Sequence, residues 1–162
     1  MEKNISLSAR LSKYLPIAEQ GLLAGLIISM ALTILHFDSS VIIHYCLIGL
    51  AAVFFLNAYK PSGIQPPENE KFGFTDLLAT TILPKVMWIS CAVSAIGILF
   101  YIRHFEPQSY RSMLTIAGGS LVIGVFAAGL FLLSGVKNSK NLQPVLLRAI
   151  PILVMDIFIL IK

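Results

Sequence analysis

Residues Ile96–Glu106 read IGILFYIRHFE and decide the fold of this chain: an apolar helix ends there in a histidine, an aromatic residue and a carboxylate. A shorter copy, ILHFD at Ile34–Asp38, lies 68 positions earlier. The same offset aligns Leu15-Pro16 with Leu83-Pro84 without a gap. The pattern predicts two helices that each open at a proline and each end in a His-Phe-acid turn.

The composition indicates an integral membrane protein. The chain is 57% apolar and only 12% charged, whereas soluble domains carry about a quarter of charged residues. Several runs approach the ~20 apolar residues that cross a bilayer. We therefore expect an all-α fold, a five-helix transmembrane bundle with spans at about 16–35, 41–58, 84–102, 113–133 and 144–161.

The spans group into one transmembrane domain at 15–162. Repeat 1 covers about 15–58, a loop follows at 59–83, and repeat 2 covers about 84–135. An even number of spans separates the copies, so they form two parallel hairpin repeats, related by an axis along the membrane normal. The final span at about 144–161 stands outside the repeat. Pro151 and Asp156 leave open a re-entrant last segment and four spans instead of five.

The N-terminal segment at 1–14 places its apolar residues roughly on one helical face and Lys3, Arg10 and Lys13 elsewhere. This pattern predicts an amphipathic helix lying in the membrane interface. The apolar run that follows is long and lacks an Ala-x-Ala site, so we expect an uncleaved anchor and not a signal peptide.

The net charge is +4, and most of the basic residues fall on one side of the membrane. This distribution indicates that they set the topology and contact lipid headgroups, and it gives no reason to expect nucleic-acid binding. One side holds Lys3, Arg10, Lys13, Lys60, Lys71, Lys85, Lys137, Lys140 and Arg148, and the other holds Arg103, Arg111 and Lys162. The positive-inside rule predicts a cytoplasmic N-terminus with both His turns outside.

The two His-Phe-acid turns have a structural and a chemical interpretation. As hairpin corners, they place a histidine at a helix end, where its imidazole can donate to the carbonyls that lack partners and is favoured by the helix dipole. The carboxylate then lies just before the next helix, whose positive end favours it. As a paired outer-face site, their side chains suit a divalent metal, with the ligand set His36, Asp38, His104 and Glu106. Axial haem ligation by His36 and His104, or by His44, is a further alternative. We predict no cofactor.

Two carboxylates lie inside predicted spans, where charges are costly and often functional. Glu19 is near the cytoplasmic interface, within reach of water, Lys13 or Lys85. Asp156 is predicted near the outer interface, where Arg103 or Arg111 is a candidate partner. A structural ion pair and a proton or ion pathway are the two interpretations.

Small residues recur at four-residue spacing in two spans, at Gly21 and Gly25 and at Ser120, Gly124 and Ala128. Such stripes let helix backbones approach closely, within the bundle or against a partner's helix.

The reactive residue types show no catalytic pattern. Cys46 and Cys91 fall in apolar spans without CxxC spacing, as small buried hydrophobes do. There is no nucleophile–base constellation and no Gly-rich phosphate loop in the sequence. We therefore expect that this protein is not an enzyme.

The motif GxLFxIxHFE at Gly97–Glu106, followed by a short turn and a Gly-containing helix, resembles the transmembrane hairpin of the L subunit of the Bacteroidota gliding-motility and type IX secretion motor. Small Bacteroidota membrane proteins that repeat such hairpins look similar. The resemblance implies a bacterial inner membrane and a hairpin repeat. It does not extend to the motor's proton coupling, because Tyr101 (Thr33 in the first copy) replaces its lysine and Ile123 lies near its glutamate position.

These observations favour a non-catalytic multi-pass protein of the bacterial inner membrane, a structural or accessory subunit that packs with itself or with a larger complex. The alternative is a small transporter or channel subunit that uses Asp156 and Glu19. The expected partners are the lipid bilayer and a membrane protein or a second copy, without nucleic acid.

Overall fold

The fold was obtained as a computed structural model that describes residues 7–60, 73–134 and 142–162, with the backbone alone for residues 7–13. The described residues form five long helices and no strand. They are α1 (Leu7–Ile34), α2 (Ser40–Ala58), α3 (Phe74–Ile102), α4 (Pro107–Leu133) and α5 (Gln143–Ile161). Each contains a stretch long and apolar enough to cross a bilayer, which confirms the all-α fold and the prediction of five apolar helices of that length.

Helix α3 is the centre of the bundle. It packs against α2, α4 and α5, and 56% of its most apolar stretch is buried. Helix α1 lies at the periphery beside α2, with 11% buried. The main core joins α2, α3, α4 and α5 through Phe54, Met87, Cys91, Leu121, Ala128, Val145 and Ala149. In a bilayer the exposed apolar side chains of the outer helices face lipid.

The helices that carry the Leu-Pro pairs begin earlier than the sequence predicts. Helix α1 is continuous from Leu7 through Pro16. Residues 7–14 of the predicted interfacial segment therefore form the first turns of α1. Residues 1–6 lie outside the described range, and so do residues 61–72 of the predicted loop at 59–83. Residues 74–83 of that predicted loop are helical and belong to α3. Helix α3 starts at Phe74, and the backbone N–H of Gly73 donates to Asp76 Oδ2 at 3.3 Å.

A π-helical turn at Leu78–Ile82 lets α3 run through Pro84. Proline has no N–H to donate to the carbonyl four residues back. The wider π turn accommodates the missing hydrogen bond, because the N–H of Leu83 donates to Leu78 O, five residues earlier. Single π turns of this kind are the usual way to insert such an irregularity without breaking a helix.

Helix α5 is also continuous through a proline, Pro151, which lies on the exposed face. Its buried positions, Val145, Ala149, Asp156 and Ile159, recur at three- to four-residue and seven-residue spacing along the face toward α3 and α4. The helix spans 19 residues, so its length and composition favour a complete crossing over the re-entrant alternative.

The two His-Phe-acid turns have the same backbone geometry. His36 and His104 have positive φ values of 63° and 54°. In each turn the histidine N–H donates to the carbonyl three residues back, and the phenylalanine N–H donates to the carbonyl five residues back, at 3.0–3.1 Å. This is the Schellman motif, which satisfies carbonyls at a helix end. The backbone N–H groups, and not the imidazoles, fill this role.

The phenylalanine after each histidine occupies the position at which Schellman motifs place an apolar contact. Phe105 meets Phe100 with ring centroids 4.8 Å apart. The matched turns agree with the 68-residue alignment, and the duplication itself stays a prediction. The turn uses the backbone N–H of the histidine and not its imidazole. The histidine backbone adopts a conformation that favours glycine.

We predict that His104→Gly stabilises the folded protein by about 1 kcal/mol, because glycine reaches positive φ without the steric cost of a Cβ atom. His104→Val should destabilise it by about 1–2 kcal/mol, since a β-branched residue is strained there. Equilibrium unfolding of the purified protein in detergent measures both. If His104→Gly is no more stable than the wild type, the positive φ at this position carries no steric cost and the prediction is wrong.

Candidate functional site

The first polar cluster in the bundle, which we call the ion-pair cluster, joins three helices. Glu19 of α1 is buried and accepts a hydrogen bond and an ionic contact from Arg148 Nε of α5. A second guanidinium nitrogen, Nη1, donates to Pro144 O at 2.6 Å. The guanidinium carbon also lies 5.6 Å from the centre of the Trp88 ring of α3. A carboxylate and an aromatic face are both favoured partners of the planar guanidinium.

This pairing differs from the partners predicted for Glu19. Lys85 was a candidate, but the carboxylate contacts Arg148; the side chain of Lys13 lies outside the described part of the chain. Arg148 had been assigned to topology, because it lies close to the start of the last span. The signal that would have found it is its position inside α5, where a lone arginine requires a counter-charge.

The second polar cluster, the Asp156 site, lies between α3, α4 and α5. Asp156 is fully buried, with 0% of its surface exposed. Ser94 Oγ of α3 donates to its Oδ2 at 2.5 Å. Its Oδ1 is buried and has no hydrogen-bond partner among the described residues. On α4 the neighbour is Gly118, where an added Cβ atom would lie 3.7 Å from both Cβ and Oδ2 of the aspartate.

The predicted ion pair of Asp156 with Arg103 or Arg111 is not formed. Arg103 follows the end of α3, and its Nε donates to His44 Nδ1 of α2 at 3.4 Å. Arg111 lies in the second turn of α4, where it lines a shallow hollow with Pro107 and Thr115. Asp156 packs deeper than predicted, beside Ser94 and Gly118, because α5 buries it on its inner face.

The four residues predicted as a metal set stay at the two turns. His36, Asp38, His104 and Glu106 are all exposed, and no three or more His, Cys, Asp or Glu side chains in the described ranges come together as a metal site. The turns are corners of separate hairpins, and Asp38 interacts within its own turn. Hydrogen bonds from the side chain and backbone N–H of Ser40 lower the pKa of the Asp38 carboxyl; the N–H bond is 3.1 Å long.

The predicted packing stripes divide into inward and outward positions. Gly25 faces Cys46, whose Sγ would lie 3.0 Å from an added Cβ, and Gly124 faces Met87. Ala128 is fully buried. By contrast, an added Cβ at Gly21 would meet nothing within 4 Å. Ser120 is half-exposed and donates to Ile116 O of its own helix at 2.9 Å.

Hydroxyl groups missed in the sequence join α1 to α2. Ser39 precedes α2, and its buried Oγ donates to Ser29 O of α1 at 2.7 Å. Thr33 Oγ1 lies 2.5 Å from Ser39 Oγ and donates to Ser29 O at 2.9 Å. Interhelical hydrogen bonds from hydroxyls are a common means of joining membrane helices. The sequence showed only scattered serines and threonines, and the tight turn brings them together.

The bundle therefore holds one neutralised ion pair and one buried carboxylate without an opposite charge beside it, within the described residues. The ion pair can fix helix positions, and the carboxylate can bind a proton or accept hydrogen bonds. Comparisons of the chain with protein-family models, with curated proteins and with solved structures find no match.

Proposed function

We propose that this protein is a non-catalytic, structural or accessory subunit of a complex in the bacterial inner membrane, with its N-terminus in the cytoplasm. The observation that carries the proposal is a row of exposed small residues on α1, on the face directed away from the bundle. Ala18, Gly21 and Ala24 are exposed along it at three-residue spacing. An added Cβ at Gly21 meets nothing within 4 Å.

Such a face suits another helix better than it suits lipid. Small side chains let two helix backbones approach closely and gain van der Waals contacts, while they offer lipid tails little apolar surface. The same helix already uses this chemistry on its other side, where Gly25 receives Cys46 of α2. The proposed occupant is a transmembrane helix of a partner protein.

The polar groups also support a structural role. Ser29, Thr33 and Ser39 join α1 to α2, and the ion pair of Glu19 with Arg148 joins α1 to α5. Both anchors hold α1 in place from one side and leave the Ala18–Gly21–Ala24 face open. The alternative, a transporter or channel subunit, is favoured by Asp156 alone, because Glu19 is already paired.

We predict that Gly21→Leu abolishes the association with the partner and leaves folding unchanged, because the added side chain fills only the open face. The protein is extracted gently from the native host membrane and resolved by native electrophoresis. A photo-crosslinking residue at position 21 should give an adduct with one defined protein, which mass spectrometry identifies.

The matched control is Gly119→Leu, since Gly119 of α4 also has nothing within 4 Å of an added Cβ. It should leave the complex intact. If Gly21→Leu migrates as the wild type does and position 21 crosslinks to lipid only, the accessory-subunit proposal is wrong. An adduct with a second copy of the chain would replace the partner protein by self-association.

A further inference from the structure

The Asp156 site combines complete burial with incomplete hydrogen bonding. The carboxylate has 0% of its surface exposed, and among the described residues its one hydrogen-bond donor is Ser94 Oγ, which donates to Oδ2. Oδ1 is buried without a partner in the described part of the chain. Buried polar atoms nearly always have a partner, so an orphaned carboxylate oxygen requires an explanation.

The position of Asp156 within the membrane makes an ionised carboxylate unfavourable. Ser94 lies eight residues before the end of α3 at Ile102, or about 12 Å along the helix. Gly118 lies eleven residues after the start of α4 at Pro107, or about 16 Å. Both distances approach half the thickness of a hydrocarbon core of ~30 Å. Asp156 itself lies five residues before the end of α5 at Ile161, or about 8 Å along that helix. The carboxyl group therefore lies inside the hydrocarbon core, between the midplane and the end of the bundle that holds Ile161, where an ionised side chain is disfavoured.

No cation in the described residues compensates a charge on Asp156. Helix α3 presents the neutral thiol of Cys91 one turn before Ser94. Helix α4 presents Gly118, with Arg111 seven residues away toward its start. On α5 itself, Arg148 is eight residues away and bound to Glu19. An isolated buried carboxylate takes up a proton, because the neutral acid is much less costly to remove from water than the charged form.

We propose that Asp156 is a proton-binding site at the centre of the helix bundle, occupied when α5 is packed between α3 and α4. The ligand is a proton and not a divalent metal ion, because the described residues offer one carboxyl and one hydroxyl at the site, whereas hard divalent cations take six or more oxygen ligands. The proton removes the charge, and Ser94 supports the acid by donating to its carbonyl oxygen. This inference goes beyond an accessory role and does not depend on it.

Infrared spectroscopy of the full-length protein in nanodiscs tests the protonation directly. The difference spectrum between the wild type and Asp156→Asn should contain one carboxylic-acid C=O band, because asparagine removes the acid and keeps its shape. Ser94→Ala should shift this band to higher frequency and keep its intensity, since the carbonyl loses its hydrogen-bond donor. A merely structural aspartate would show carboxylate bands in the difference spectrum, and that result would overturn the proposal.

Dicyclohexylcarbodiimide gives a second test with an internal control. The reagent takes the proton of a carboxylic acid on one nitrogen, the carboxylate adds to its central carbon, and an acyl shift leaves a stable N-acylurea. We expect modification at Asp156 that decreases as the pH rises and is lost in Asp156→Asn. Glu19, equally buried but ion-paired, should stay unmodified.

Two further outcomes would overturn the proton proposal. Modification of Asp156 that sodium prevents and pH does not change would indicate a cation site and overturn the proton proposal. If Asp156 stays unmodified while Arg148→Met makes Glu19 reactive, the reagent reaches the bundle and Asp156 is ionised. Gly21→Leu should change none of these results, which separates this proposal from that of an accessory subunit.

Discussion

Arg148→Met is expected to destabilise the folded bundle by about 3–5 kcal/mol, the usual cost of removing one partner from a buried ion pair. Glu19 is the reason for the size of the effect. Its carboxylate is almost completely buried and has Arg148 as its ionic partner. Methionine fills the apolar volume of the arginine stem and provides no charge, so the glutamate is left buried and uncompensated. Unfolding of the purified protein in mixed micelles measures the loss.

Removing both charges should recover most of that stability. The double variant Glu19→Gln/Arg148→Met leaves no unpaired charge, and buried ion pairs replaced by neutral side chains of similar volume are often neutral or better. Arg111→Met is the matched single control, because Arg111 is exposed at the start of α4. A loss of stability as large in Arg111→Met as in Arg148→Met would show that the effect comes from lost positive charge in general.

The guanidinium is only partly buried, with 31% of the Arg148 side chain exposed. The expected loss therefore depends mainly on the glutamate. Arg148→Lys should restore only part of the stability, because an ammonium can neutralise Glu19 but cannot reach the carboxylate and Pro144 O with a planar fork while it covers the Trp88 ring.

Gly124→Leu is expected to destabilise the protein by about 1–3 kcal/mol through overpacking of the core. A Cβ added at Gly124 would lie 2.7 Å from Cγ and 3.3 Å from Sδ of Met87. Cγ is close to the backbone, so a rotation at the end of the methionine does not relieve the clash. Met87 is fully buried in the core cluster at the centre of α3, which leaves it no space to move into.

Gly129→Leu is the control for this variant. Gly129 lies in the same helix, and an added Cβ there would meet nothing within 4 Å. Both substitutions gain about the same helix propensity, up to ~1 kcal/mol. Gly129→Leu should therefore be neutral or slightly stabilising by thermal unfolding in detergent. If the two variants unfold at the same temperature, α3 and α4 do not approach as closely at Gly124 as this structure shows.

The sequence was sufficient to predict the class of fold and the approximate spans. Apolar length is a local property, and a bilayer requires every backbone group of a crossing segment to be satisfied within that segment. The His-Phe-acid motif was predicted to be a helix end because it closes an apolar run, which is also a local property of the sequence. Its mechanism was predicted less well: the imidazole was expected to bind the free carbonyls, whereas backbone N–H groups at positive φ bind them.

Prolines were weaker signals than expected. Pro16 and Pro84 were taken as helix starts, and Pro151 as a reason to doubt the last span, yet all three lie within continuous helices. In the membrane, local π adjustments and neighbouring groups compensate the missing N–H. A proline therefore marks a boundary less reliably here than in a soluble helix.

The sequence by itself determined which residues are costly to bury. Glu19 and Asp156 are two carboxylates in apolar helices, and each requires a partner. Only the tertiary structure decided their partners, since these lie 129 and 62 positions away in the chain, on helices whose rotation the composition does not specify. Packing gave Glu19 an arginine and Asp156 a single hydroxyl. The physical reason is that pairing depends on which helix faces meet, and close packing of small residues such as Gly118 and Gly124 determines those faces.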